Sequence, residues 1–270
     1  MKRAAFIISD GTGITAESLS NSLLSQFEEL EIEKEVIPYV TLEKMREISL
    51  RIDAIYQQTA VKPLVFMTLV NPEIAALIHS SRACVFDLFN TFLAPLEETL
   101  GMKSTFQVGL THGRADTTAY DLRIEAVNYT LEHDDGIKLN GYHKADVILI
   151  GVSRSGKTPS CLYMALQCGL FAANYPLTDD EASYSKLPES LRPHKHKLFG
   201  LTIDPERLQQ IRQARCPNSQ YASRTQCLQE TSDVETLFKC EKIPFINSTH
   251  YSIEEIVTRV IDIAKLKRRV

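Results

Sequence analysis

The sequence predicts an α/β protein built on mostly parallel sheets, and three observations predict it. Its strand-length apolar runs are continuous rather than alternating, so both faces of each strand must be buried, as in a parallel sheet covered by helices. Those runs alternate with stretches that carry apolar residues at helical spacing. The rhythm stops around Gly101, Gly109, Gly113, Gly136 and Gly141 and then restarts, which divides the chain into an N-terminal α/β domain over 1–110 and a second over 111–270.

Taken in order, Ala4–Ser9 is the first strand, and Ile14, Leu19, Leu23, Phe27 and Leu30 mark a helix from Ile14 to Leu30. A strand at Lys34–Val40, a helix at Leu42–Thr59 and a strand at Leu64–Val70 follow. Asn71 and Pro72 open another helix, since an Asn cap followed by Pro suits a helix start, and Ala83–Leu88 is the next strand. A helix from Asp116 to Leu131 crosses the interruption. The second series runs strand Ala145–Gly151, helix Thr158–Gly169, strand Lys197–Ile203, helix Pro205–Ala214, helix Thr225–Cys240 and strand Ile243–Asn247. Ser252 and Glu255 form an S-x-x-E capping box that starts the last helix. Thr178–Lys197, polar and punctuated by Pro, reads as an exposed excursion or lid, and no internal repeat is visible at any fixed period.

Composition narrows the function classes. A formal net charge of -4 over 270 residues gives no positive field to gather polyanions, so no nucleic-acid partner is expected. The basic run at Lys265, Lys267, Arg268 and Arg269 reads as a cationic helix end. No apolar run approaches the ~20 residues of a membrane span, and the stretch after Arg3 is too short for a signal-peptide core. The 6 cysteines include no C-x-x-C pair, which fits a reducing cytoplasm without a disulfide framework or a structural metal.

The chemistry concentrates in Gly151-Val152-Ser153-Arg154-Ser155-Gly156-Lys157-Thr158, a full G-x-x-x-x-G-K-[ST] match that follows an apolar strand and opens a helix. A chance match in a chain of this length has a probability of roughly one per cent. Glycines let such a loop curl its N–H groups inward, the helix end adds positive potential, Lys157 meets the phosphates and Thr158 offers a hydroxyl to Mg²⁺. This makes the second domain a P-loop kinase-like α/β domain.

Other candidates carry two readings each. His133-Asp134-Asp135-Gly136 supplies carboxylates for a general base or a metal, and the same residues suit a helix C-terminus followed by a tight turn. Ser9-Asp10-Gly11-Thr12-Gly13 suits either a ligand loop or a turn in which Asp or Thr caps the next helix. Asp204 resembles the metal-holding Asp at the end of a strand, but Pro205 makes an N-cap the better reading. Arg114 and Arg154 are candidates to stabilise phosphoryl charge.

The chain resembles the bacterial phosphoenolpyruvate synthase regulatory proteins, which are related to the pyruvate, phosphate dikinase regulatory proteins. The resemblance rests on Ile8-Ser-Asp-Gly-Thr-Gly-Ile-Thr-Ala-Glu17, Arg123-Ile-Glu-Ala126, His133-Asp-Asp-Gly136, Gly151–Ser160 and Gly200-Leu-Thr-Ile203, spread over nearly the whole chain. It implies a bifunctional Ser/Thr protein kinase that moves the β-phosphoryl of ADP to a Thr of the target and later removes it with phosphate, releasing pyrophosphate. Gly151–Thr158 would then be the ADP site, with Mg²⁺ at Thr158, Lys157 on the moving phosphoryl and Asp134 or Asp135 as proton acceptor. Either phosphoenolpyruvate synthase or pyruvate, phosphate dikinase would be the partner, and a homodimer is compatible with the sequence.

Overall fold

The computed structural model describes residues 2–27, 29–107, 117–177 and 186–270. The chain divides into two compact units, Met1–Arg114 and Ala115–Val270. In the N-terminal unit the elements are β1 (Lys2–Ser9), α1 (Ile14–Leu24), β2 (Glu31–Ile37), α2 (Leu42–Thr59), β3 (Leu64–Thr68), α3 (Pro72–His79), β4 (Cys84–Asp87) and α4 (Asn90–Leu100). The strands form one parallel sheet in the order β2-β1-β3-β4.

Alternate residues of the strands serve opposite faces. Phe6, Ile8, Val65 and Met67 pack on Met45, Ile48 and Ile52 of α2 and on Ile74 and Ile78 of α3. Ala5, Leu64 and Phe66 face the other way, toward Leu24 of α1. Asn71 caps α3 by accepting from the N–H groups of Glu73 and Ile74, as the Asn-Pro pair requires.

The C-terminal unit contains α5 (Thr117–Glu132), β5 (Val147–Gly151), α6 (Lys157–Cys168), β6 (Ala172–Pro176), β7 (Leu198–Thr202), α7 (Pro205–Arg215), α8 (Arg224–Glu241), β8 (Phe245–Asn247) and α9 (Ile253–Ile263), with 3-10 turns between them. Its sheet is also parallel, in the order β6-β5-β7-β8. Ile148 and Ile150 of β5 pack with Ala126, Leu208, Val234 and Leu237 from α5, α7 and α8. Val147 and Leu149 pack with Met164 of α6 and with Ile256 and Val260 of α9. Both reciprocal hydrogen bonds of the Ser252–Glu255 capping box are formed.

Relative to its own first strand, each unit has the same strand order. Both chains of connection therefore reverse direction beside that strand, between β1 and β3 and between β5 and β7. In open parallel sheets the crevice at the carboxyl ends of such a pair is where ligands bind. Ser9–Gly13 and Gly151–Gly156 leave the sheet at these two places.

Several elements differ from the sequence expectations. The first helix stops at Leu24, and β2 begins at Glu31 rather than Lys34. Helix α4, which contains Pro95 and buries no residue, was not anticipated, and neither was β6. In Ala172-Ala-Asn-Tyr-Pro176 only Tyr favours a strand, yet an edge position tolerates a Pro that a central strand would reject. The expected excursion from Thr178 is described only from residue 186, where Leu187 and Leu191 are buried in the core rather than exposed.

One glycine in this core is required by space alone. A Cβ on Gly200 would stand 2.5 Å from Phe238 Cε2 and 2.7 Å from Phe245 Cβ. Gly200→Ala should therefore cost about 1–3 kcal/mol, the usual penalty of overpacking, read as a lower denaturant midpoint at unchanged slope. An unchanged midpoint would show that the two rings yield freely.

Candidate functional site

β5, buried along its length, delivers the chain directly into Gly151. A Cβ at Gly151 would lie 2.1 Å from the Leu201 carbonyl oxygen, so no side chain fits where β5 meets β7. Gly156, at φ 96°, turns the chain through the left-handed region into α6. Arg154, with its side chain exposed, holds a φ of 77°, a conformation that costs a non-glycine residue about 1–2 kcal/mol. The loop is braced from outside to offset such strain. Ser248 Oγ donates to the Ser155 carbonyl at 2.9 Å and lies 3.0 Å from that of Thr202, while Ser155 Oγ donates to the Val152 carbonyl at 3.0 Å.

Lys157 lies inside this turn. Its Nζ donates to the carbonyls of Gly151 at 3.0 Å and Val152 at 2.8 Å, and the residue is only 4% exposed. Burial pushes its pKa down to about 8, against the opposing pull of the negative charges of Asp135 and Asp134. An ammonium with three donors is thus held, nearly dry, by the loop that would receive a phosphate chain.

The carboxylates reach the loop through the turn after α5. Asp134–Gly136 forms a 3-10 turn in which Asp135 sits at φ 47° and Gly136 at φ 72°. Thr158 Oγ donates to Asp134 Oδ1 at 2.8 Å. Asn174 Nδ2 donates to the same oxygen, and Asn174 Oδ1 accepts the Asp135 N–H at 3.1 Å. Asn174 is fully buried in β6, so one amide fixes both acidic residues. The Asp135 side chain is exposed.

His133 does not join the carboxylates. Its Nδ1 pairs with the Tyr129 carbonyl at 2.7 Å, and its ring stacks on Tyr129 at 4.1 Å. The ring fits because Gly141 has no Cβ, which would otherwise lie 1.8 Å from His133 Nε2. His133 is a packing residue that anchors the turn.

The outer wall of the loop is a buried ion pair that the sequence reading missed. Arg212 of α7 grips Glu230 of α8 through bonds of 2.9 and 2.6 Å, with side chains 0% and 8% exposed. The same guanidinium donates to the Ser153 carbonyl at 3.3 Å and lies 4.0 Å over the Tyr221 ring. Tyr221 in turn donates its hydroxyl to Ser153 Oγ at 3.0 Å. The available signal was Arg212 standing four residues after Leu208 on the helix face that enters the core.

Asp204 holds the N-cap position of α7 but makes no capping bond with its side chain, contrary to expectation. Its Oδ1 accepts from Asn247 Nδ2 at 2.7 Å instead, tying the ends of β7 and β8 together. In the N-terminal unit neither Asp10 nor Thr12 caps α1, whose N-cap is Gly13. Asp10 Oδ2 accepts the Val70 N–H at 2.6 Å, and Ser9 Oγ accepts from Thr68 Oγ at 3.0 Å, so the loop ties β1 to β3. Arg114 and the expected helix start at Asp116 lie outside the described residues.

The oxygen pair Thr158 Oγ and Asp134 Oδ1 suits a hard cation such as Mg²⁺, which takes one or two protein oxygens and completes its shell with phosphate and water. No group of three or more His, Cys, Asp or Glu side chains among the described residues forms a cage for a metal. Among the described residues no helix is long and apolar enough to cross a membrane.

The model of the kinase/pyrophosphorylase family matches residues 5–261. A protein of Legionella pneumophila (strain Corby) is 58% identical over 271 residues, covering 100% of both chains, and bears the provisional name phosphoenolpyruvate synthase regulatory protein. Proteins of Hahella chejuensis at 53% identity and Ectopseudomonas mendocina at 50% bear the same name, with 100% of this chain covered in each and 100% and 99% of the relatives' own lengths.

Asn174→Ala would strand the Asp135 N–H and release the Asp134 carboxylate. A loss of about 1–3 kcal/mol is expected in chemical denaturation, the cost of a buried polar group without its partner. A neutral result would show that Asn174 does not hold the acidic turn.

Proposed function

This chain belongs to the kinase/pyrophosphorylase family, and from that premise we propose that it switches a phosphoenolpyruvate synthase off and on by moving one phosphoryl group. In the forward direction a threonine hydroxyl of the synthase attacks the β-phosphorus of ADP, the bond to the bridging oxygen breaks, and AMP leaves. In the reverse direction inorganic phosphate attacks the phosphothreonine, the phosphorus–threonine oxygen bond breaks, pyrophosphate leaves and the hydroxyl regains its proton. The relatives' names support the target, and pyruvate, phosphate dikinase is the alternative substrate for the same chemistry.

The observation that carries the reading is the convergence of Lys157, Thr158 and Asp134 on one loop, with Thr158 Oγ 2.8 Å from the Asp134 carboxylate. Inward N–H groups and a helix N-terminus bind phosphate oxygens of any nucleotide, so a diphosphate displaced by one position presents its terminal phosphoryl to the same lysine. Lys157, already desolvated, would exchange its two carbonyl partners for phosphate oxygens and neutralise the moving group. Mg²⁺, when bound, neutralises charge on the phosphates, and Thr158 with Asp134 would hold it.

The two acidic residues divide the remaining work. Asp134 Oδ1 is engaged by Thr158 and Asn174 and is suited to the metal. Asp135 has its side chain exposed in a left-handed turn, with no hydrogen bond or salt bridge to its carboxylate among the described residues, and its charge acts on Lys157. It is placed to take the proton from the incoming threonine.

Incubating the protein with phosphoenolpyruvate synthase and ADP labelled at the β-phosphorus should place one labelled phosphoryl on a synthase threonine and release AMP in equal amount. Inhibition without a mass gain would favour an ADP sensor that acts by contact, and transfer from ATP alone would favour an ordinary kinase. Asp135→Asn should slow the forward reaction about 10²–10⁴-fold, the usual worth of a general base, with no loss of ADP affinity. An undiminished forward rate would remove Asp135 from that role.

A further inference from the structure

We infer that the C-terminal unit carries a second anion site, for a small molecule bearing two or more phosphate or carboxylate groups, at the sheet edge opposite the Gly151–Thr158 loop. The cavity there has a volume of about 930 Å³, and its floor is formed by the first residues of the central strands, Val147 of β5 and Leu198 of β7, with Pro244 before β8. Val147 stands four residues before Gly151 along β5, roughly 13 Å of extended chain, so a ligand here does not touch the loop.

The charge of the lining sets the ligand. Arg192, Lys195, Lys197 and Lys242 line the cavity against two carboxylates, Asp146 and Glu241. Both carboxylates are already engaged, Asp146 by Arg269 at 2.8 Å and Glu241 by Lys195 at 2.5 Å. Among the described residues the Lys197 ammonium donates only to the His143 carbonyl, at 2.7 Å, and Lys242 has no side-chain partner. Arg192 donates its Nε to the Leu187 carbonyl at 3.4 Å and meets the Glu189 carboxylate at 3.7 Å, and that Glu189 side chain is 90% exposed, a solvated pair of little strength. Three cations are therefore in surplus around one concavity in a chain of net charge -4.

Two stretches of sequence that served no purpose in the loop chemistry meet here. One is Arg192-Pro-His-Lys-His-Lys197, the end of the segment that reads as an excursion, and the other is the C-terminal stretch, whose Ala264 and Leu266 line the cavity and whose Arg269 pairs with Asp146. The volume lies within the ~300–1,000 Å³ of small-molecule sites, and so few cations in an acidic chain do not make a nucleic-acid track. Lys and Arg at several angles suit groups that carry more than one negative charge.

The test counts sites by calorimetry at low salt with sodium tripolyphosphate and, separately, sodium citrate as probes. The unaltered protein should bind two equivalents of tripolyphosphate, Lys157→Ala one at the sheet edge, and Arg192→Glu/Lys242→Glu one at the loop. The triple variant should bind neither. Lys44→Glu/Arg46→Glu, an equal reversal of two charges on exposed residues of the other unit, should change nothing. Both edge side chains are exposed, so the fold should persist, with a thermal midpoint close to that of the parent. Tighter binding of citrate to the Lys157→Ala protein would assign the site to polycarboxylates, and tighter tripolyphosphate to polyphosphates. The proposal is overturned if the edge double variant keeps two equivalents, if Lys44→Glu/Arg46→Glu removes as much binding, or if Lys157→Ala binds neither probe. Two equivalents retained by Lys157→Ala, with one lost in the edge variant, would instead count against the loop.

Discussion

A buried ammonium held by two backbone carbonyls is the constraint around which the C-terminal unit is built. Lys157 stays inside its turn because the loop curls tightly enough to present the oxygens of Gly151 and Val152 to it. That curl needs the glycine that lets β5 approach Leu201 and the glycine that turns left-handed into α6. It also needs bracing, which Ser248 supplies on one side and the Arg212–Glu230 pair on the other. A charge this dry costs free energy in the unliganded protein, which under the proposed function would be returned when a phosphate chain replaces the carbonyls. On that proposal the contacts that strain the loop also preorganise it for an anion.

The two units answer the same topological problem with different chemistry. Each is a four-stranded parallel sheet whose strand order reverses beside its first strand, and each sends a glycine-bearing loop out at that reversal. In the C-terminal unit the loop carries a lysine and a hydroxyl that face the acidic turn. In the N-terminal unit the side chains of Ser9 and Asp10 are spent on neighbouring strands instead. No sequence period betrays the shared topology, because a parallel sheet asks only for apolar runs and turns, which many residues satisfy.

What the sequence made legible follows from how local the cause was. The loop, the strand β5 that feeds it, the Asn71 cap and the Ser252 capping box are set within a few residues and stand where the pattern places them. Strand β6 was hidden because Ala-Ala-Asn-Tyr-Pro lacks β-branched residues and acquires its conformation by pairing with β5. Asn174 was hidden for the same reason, since its partners lie 16 and 40 positions away. Arg212 and Glu230 looked like ordinary helix-surface charges until α7 and α8 were packed together. His133 misled in the opposite sense, being adjacent to the carboxylates in sequence and turned from them in space.

The central claim is that Lys157 sits in its turn to receive a phosphate chain. Equilibrium binding of ADP to the native protein and to Lys157→Ala tests it most directly. Loss of a charge-assisted bond worth about 1.5–3 kcal/mol should weaken ADP roughly 10–150-fold, with the fold intact by circular dichroism. An affinity for ADP equal to that of the native protein would contradict the account.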